Sequence, residues 1–367
     1  MKRLSWIEIT SLYIGVIMGA GFASGRECWQ FFGVFGSKGY AGAAASTVCF
    51  VLLACMLTYI ARSKGTADLG RLICPVESRP AYEIIGWVLA AIYYSMIIAM
   101  TAAGGSLLNQ QFGINKTVGG IIIAILCIIT VLGDFERVSK VFRLMIPVLF
   151  VVGVATILLT IKADFPQSGP TEGYTPGRMS PNWPVSALVF MAYNTLGMIT
   201  MAGNSAINAK DSKNAYAGAV TGTLCLGGLT ILLLRALLTD MAFSSELDLP
   251  MLGFAGRLSP VLSIIYAVIL YGAVYSTGSS TYYGFSTKLK DGKYKEWIII
   301  GGALAGFLLG LTGFRKLVEF LYPVQGYIGI VFIILIIINF CRELSRPAEA
   351  KGQETDRINQ GESSDEQ

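Results

Sequence analysis

The chain reads as an all-α integral membrane protein of ten transmembrane helices, laid out as 5+5 inverted repeats with broken helices 1 and 6. Three observations carry that expectation. Hydrophobic residues make up 54% of the sequence and charged residues 14%, with a mean hydropathy of +0.61, whereas a soluble domain carries roughly 25% charge. Ten apolar windows of about 20 residues, the length that spans a bilayer core, follow one another with only short polar connections. Helix-breaking residues stand in corresponding places of the first and sixth windows.

In chain order the windows are 6–35, 40–61, 81–108, 118–132, 141–161, 184–204, 215–241, 260–285, 297–313 and 317–341. Met1-Lys2-Arg3 leads directly into the first with no small-residue cleavage site, so this helix is expected to stay and span. Five spans is an odd number, so the second half must run with the opposite membrane topology, which is the inverted-repeat plan. The first repeat takes residues 1–162 and the second 163–341. Residues 342–367, rich in Glu, Gln, Ser and Asp, read as a disordered, solvated tail.

Basic residues set the orientation. With the N-terminus inside, the clusters Arg62, Lys64, Arg71 and Arg79, then Lys288, Lys290, Lys293 and Lys295, fall on the cytoplasmic side. Both termini are thus expected to be cytoplasmic, in a multi-pass protein of the cell membrane. The net charge of +5 is accounted for by this asymmetry, without a nucleic-acid partner. The seven cysteines show no external pair and no metal-ligand spacing, and histidine is absent. They read as small buried hydrophobes, and no zinc, haem or iron–sulfur cofactor is expected.

Span one carries Gly15, Gly19, Gly21 and Gly25, then Arg26-Glu27. Glycine weakens a helix by about 1 kcal/mol relative to alanine, and an ionisable pair at bilayer depth is costly unless it faces protein or water. Span six places Asn194, Thr195 and Gly197 at the centre of an apolar run. Both spans are read as broken there. In span nine, Gly302, Gly306 and Gly310 have small-xxx-small spacing and are read as packing glycines. The string from Gly19 to Gly25 has neither the spacing nor the preceding strand of a phosphate loop. No catalytic constellation is visible, so an enzyme is not expected.

The stretch Gly19-Ala20-Gly21-Phe22-Ala23-Ser24-Gly25-Arg26-Glu27, running on to Phe31-Phe32-Gly33, resembles the opening of the YkvI-like bacterial membrane proteins. That family is itself similar to the amino acid/polyamine/cation superfamily, with the leucine-transporter fold. The resemblance implies a carrier of an amino acid or similar small organic solute, coupled to Na+ or H+ and working by alternating access. A nutrient sensor that keeps the fold without transporting is the alternative. The fold implies a sodium ion between carbonyls of helix 1, here Gly15 and Met18, and hydroxyls of span eight. Thr277, Ser280 and Thr281 share a face there by i, i+3, i+4 spacing, with Ser276, Ser279 and Ser280 as the neighbouring set. Such hydroxyls can instead bond their own i−4 carbonyls.

Substrate is expected between the two breaks, against Gly19, Ala20, Gly21, Asn194, Thr195 and Gly197, with Tyr93, Tyr94, Tyr271 and Tyr275 as candidate wall residues. Glu27 either carries a coupling proton or neutralises Arg26 or Arg235. Related carriers pair a basic residue on helix 1 with an acidic one on helix 10 as a gate, which here implies Arg26 and Glu319. Glu319 can alternatively screen Arg315 and Lys316 in the loop.

Overall fold

The structure, a computed structural model, describes residues 3–17, 19–133 and 135–345. Its helices are α1 (Trp6–Ile17), α2 (Ala20–Ala23), α3 (Arg26–Phe31), α4 (Lys38–Lys64), α5 (Leu69–Ile73), α6 (Arg79–Phe112), α7 (Lys116–Leu132) and α8 (Phe135–Ala163). They continue as α9 (Trp183–Asn208), α10 (Ser212–Leu237), α11 (Met241–Glu246), α12 (Pro250–Leu258), α13 (Pro260–Ser286), α14 (Lys295–Gly310) and α15 (Phe314–Leu344). A 3-10 turn, Gly33–Phe35, follows α3.

Every expected span has its helix. The first is made of α1 to α3 in succession, and the others are α4, α6, α7, α8, α9, α10, α13, α14 and α15. Among them α4, α6, α9, α10, α13 and α15 are each long and apolar enough to cross a membrane alone. The short helices α5, α11 and α12 lie in what the sequence presents as connections. The expected tail begins later than residue 342, because Arg342, Glu343 and Leu344 still belong to α15. There the Arg342 guanidinium donates to the carbonyl of Pro75 at 2.6 Å. Residues 346–367 lie outside the described residues.

Polar side chains start several helices by accepting the unpaired N–H groups of the first turn. Asn115 caps α7 through Thr117, Asn182 caps α9 through Val185, and Asp211 caps α10 through Asn214.

Packing follows the inverted plan. α1 lies against α10 as α9 lies against α4, α7 against α13 as α14 against α6, and α8 against α10 as α15 against α4. Each pair becomes its counterpart when the first five spans are exchanged for the last five. α6 and α13 pack directly on each other. Close approach of α1 and α10 depends on two glycines: a Cβ at Gly218 or Gly222 would come within 2.5 Å of Ile9 or 2.7 Å of Tyr13. The same helices share a bond between the hydroxyls of Thr10 and Thr221 at 2.5 Å. Leu4 pairs with the corner after α9, its N–H donating to Asn208 and its carbonyl accepting from Lys210. In α14, Gly302, Gly306 and Gly310 face Tyr282, Ile97 and Thr101, which is the packing role expected of them.

Candidate functional site

The break in span one is built from small residues. α1 ends at Ile17, Gly19 is extended, and Ala20–Ala23 form one isolated turn. Gly25 then adopts φ +81°, the left-handed region open to glycine at little cost, before α3 begins. Groups that the interrupted helix leaves unpaired find other partners. The Tyr266 hydroxyl donates to the Ala23 carbonyl at 2.6 Å, the Met251 N–H to the Ser24 carbonyl at 2.9 Å, and the Ser24 hydroxyl to Gly21 at 2.6 Å. α12 and α13 therefore brace the break from the side.

The expected break in span six is corrected by the structure. α9 is one continuous helix from Trp183 to Asn208. The residues read as breakers are satisfied within it: Asn194 Nδ2 donates to Phe190 at 3.0 Å and Thr195 Oγ1 to Met191 at 2.8 Å. These are i−4 back-bonds, which occupy the polar side chains without opening the helix.

A cavity of about 130 Å³ lies at the break. Span one contributes Gly19, Ala20, Gly21 and Glu27; α6 contributes Ile92, Tyr93, Met96 and Met100; α9 contributes Tyr193, Asn194, Leu196 and Gly197. Thr277 and Thr281 of α13 and Tyr322 and Gln325 of α15 complete it. Of the expected substrate residues, Gly19, Ala20, Gly21, Asn194 and Gly197 thus meet at one place. Three others do not reach it. Thr195 is buried inside the packing, Tyr94 donates to the Gly302 carbonyl at 3.1 Å, and Tyr275 bonds Thr130 at 2.5 Å. Tyr271 is likewise directed to Gly119, at 3.5 Å.

The expected hydroxyl trio of α13 is divided. Thr277 and Thr281 line the cavity, and Thr277 Oγ1 stands 3.6 Å from where a Cβ on Gly19 would be. Thr281 also donates to the carbonyl of Thr277 at 2.8 Å. Ser280 is exposed and does not line the cavity. In the neighbouring set, Ser279 is buried and donates to Cys127 at 3.5 Å. Gly15 sits within α1 and is not a wall of the cavity; Met18 lies outside the described residues.

The charged residues differ most from expectation. Arg26 is 2% exposed and its Nη1 donates to the carbonyls of Ser245 and Leu247 at 3.2 and 3.3 Å. Glu319 is exposed and beside Gly177, and no ion pair joins it to Arg26, so the expected gate pair is not formed. Glu27 is not paired with Arg26 or Arg235 either. Arg235 lies 3.9 Å from Asp164. The Glu27 carboxylate, 3% exposed, accepts from the Tyr193 hydroxyl at 2.6 Å and faces the cavity.

The segment joining α11 to α12 is bonded to the chain just past the break. Besides taking Arg26, it is held by Asp248, which accepts from Lys116 Nζ at 2.6 Å and from Ser106 Oγ at 2.8 Å. Leu249 exchanges two hydrogen bonds with the amide of Gln110. Burial acts to raise the Asp248 pKa, but hydrogen bonds from Lys116 and Ser106 and the charges of Lys116 and Arg26 hold it below the usual carboxylate value.

A second cavity, about 320 Å³, lies toward Asp68, Glu83 and Lys288, the face that the charge pattern assigns to the cytoplasm. Tyr93 lines both cavities. Its ring packs on Gly284, where a Cβ would come within 3.0 Å. Sequence reasoning missed Tyr193, Tyr322, Gln325, Met96 and Met100 as cavity residues. The available signals were slight: Gln325 is an amide in an otherwise apolar run, and Tyr322 directly precedes Pro323.

No known family model matches the chain. It is 22% identical over 332 residues to the uncharacterized membrane protein YkvI of Bacillus subtilis (strain 168), covering 89% of this chain and 93% of that protein. To the uncharacterized protein YyaD of the same organism it is 24% identical over 340 residues, covering 89% and 94%. Among solved structures it is similar to an inward-facing conformation of Mhp1, with a TM-score of 0.59 at 13% identity, over 91% of this chain and 76% of that one. It is also similar to the Eremococcus coleocola manganese transporter in complex with an aromatic bis-isothiourea substituted compound, with a TM-score of 0.50 at 14% identity, over 97% and 91%. The chain has the fold of these membrane transporters, the leucine-transporter fold.

Proposed function

We propose that the protein is a secondary active transporter, coupled to Na+ or H+, which moves an amino acid or similar small organic solute across the cell membrane by alternating access. The observation that carries this reading is the cavity at the interruption of span one, where unwound backbone, two threonine hydroxyls and a carboxylate meet inside the helix bundle. Irregular backbone at membrane depth is tolerated where it lines such a cavity. At about 130 Å³ it is well below the roughly 300 Å³ at which drug-sized ligand sites begin, which suits a small solute.

The cavity's position supports alternating access. On one side of the break Arg26 is bonded to the α11–α12 segment, which Lys116 and Gln110 hold in turn, and a single tyrosine side chain, Tyr93, lines both this cavity and the larger one. For the coupling ion, neutral oxygens suit a hard cation, and Thr277 and Thr281 are the hydroxyls at hand. Glu27 is the group at hand for a proton. Uptake of labelled amino acids into proteoliposomes under an imposed sodium or proton gradient tests the reading. Gradient-driven accumulation is expected, whereas binding without accumulation in either gradient would identify a sensor.

A further inference from the structure

Glu27 is a buried carboxylate that no cation accompanies among the described residues. Arg26, its neighbour in sequence, turns away to two backbone carbonyls, and no lysine or arginine among the described residues lines the cavity. The carboxylate occupies space that Gly21 leaves open: a Cβ at that position would land on Glu27 Oε1. Oε2 is met by Tyr193.

A second polar group on the same wall has no hydrogen-bond partner among the described residues. The hydroxyl of Tyr322 is fully buried and makes no hydrogen bond, with its ring 5.0 Å from that of Tyr193. An unmet buried hydroxyl and an uncompensated buried carboxylate are both costly. One ligand meets both the carboxylate and the hydroxyl oxygen if it brings a positive charge and N–H donors. An ammonium group does so: it carries up to three donors and a compact charge, and its bond to a carboxylate is charge-assisted. A carboxylate-only solute would place like charges together.

We propose that the cavity holds its solute by an ammonium group, seated on the Glu27 carboxylate with the hydroxyl oxygen of Tyr322 as a second acceptor, so that the solutes taken are small amines and amino acids and not simple carboxylic acids. The inference rests on the transporter reading only for the fate of the bound solute. Binding is a property of the cavity itself.

The test measures the thermal unfolding midpoint of the purified full-length protein in detergent at pH 7 with propylammonium, L-alanine, propionate or Mn²⁺ added at equal ionic strength. Propylammonium and L-alanine are expected to raise the midpoint saturably, and propionate to leave it unchanged. Glu27→Gln should weaken the apparent affinity for propylammonium roughly 10- to 100-fold, and Tyr322→Phe should weaken it several-fold. Should Glu27→Gln fail to fold, Glu27→Asp and Tyr322→Phe carry the test. An equal shift from propionate, a shift from Mn²⁺ alone, no shift from any amine, or unchanged affinity in the variants overturns the proposal. Labelled L-alanine is then offered to proteoliposomes. Binding without gradient-driven uptake would sink the transporter reading and leave the ammonium site standing. Driven uptake of propionate without uptake of L-alanine would do the reverse.

Discussion

The hydroxyl of Tyr266 donates to the carbonyl of Ala23 at 2.6 Å, and so α13 holds the isolated turn Ala20–Ala23 at its end. The chain bends at Gly25 immediately afterwards, and both bonded residues are buried. Tyr266→Phe leaves that carbonyl without a donor, and an unmet buried polar group costs about 1–3 kcal/mol. We expect a lower unfolding midpoint for this variant in detergent. An unchanged midpoint would mean that the turn does not depend on α13.

Gly21 and Gly228 give opposite expectations for the same substitution. A methyl group at 21 displaces the Glu27 carboxylate, whereas nothing lies within 4 Å of a Cβ at 228. Gly21→Ala should abolish uptake in proteoliposomes. Gly228→Ala, on an exposed position of α10, should keep uptake and stabilise the protein by about 0.5–1 kcal/mol through its helix preference.

Tyr93 stands where the two cavities meet, and a tyrosine shortened to alanine removes the ring between them. In Tyr93→Ala, a cysteine introduced at Thr277 should react faster with a membrane-impermeant thiol reagent applied to the face bearing Lys288. The exposed Cys225 and Cys341 are replaced beforehand. Equal labelling rates with and without the Tyr93 ring would remove this side chain as the barrier.

Thr277 lines the cavity and Ser280, one turn on, does not. If sodium is the coupling ion, Thr277→Ala should lose most of the sodium stimulation of uptake and Ser280→Ala should retain it, because only the former lines the cavity. Loss in Ser280→Ala alone would restore the arrangement expected from spacing.

Asp248 makes stability depend on acid. Its folded pKa is held below the unfolded value of about 3.9, so its contribution is present in full above that value. It is lost as pH falls through the lowered folded pKa. Unfolding midpoints of the parent should therefore drop at strongly acid pH, and Asp248→Asn should flatten that part of the profile while lowering the midpoint at neutral pH. A parallel acid profile in the variant would assign the effect to another group.

The spans were legible because bilayer thickness imposes about 20 apolar residues on each, a constraint written directly into sequence. So was the break in span one, where Gly19, Gly21 and Gly25 stand beside an ionisable pair that lipid would not accept. The continuity of α9 was not legible: Asn194 and Thr195 open a helix or bond back to Phe190 and Met191 with the same spelling. Tyr93 and Tyr94 are adjacent and point about 100° apart, and apolar surroundings on both sides leave no polarity pattern to tell cavity from packing. Arg26 misled for a different reason. Its partners are the carbonyls of Ser245 and Leu247, and backbone acceptors leave no mark in side-chain identity. Glu27 and Tyr193 are 166 positions apart, a meeting that only the fold arranges.

Because α1 is fastened to α10 along its length and Leu4 is stitched to the corner after α9, the first half-helix belongs mechanically to the opposite repeat. It is a lever whose far end is clamped, with its fulcrum at Gly19. Any swing of α1 must carry α10 and the α9–α10 corner with it, so the two repeats trade a part, and the moving body follows contact and not chain order. Loosening the clamp, for example at Asn214, which accepts from the Trp6 N–H at 2.9 Å, should therefore change how fast the protein cycles before it changes what the cavity holds.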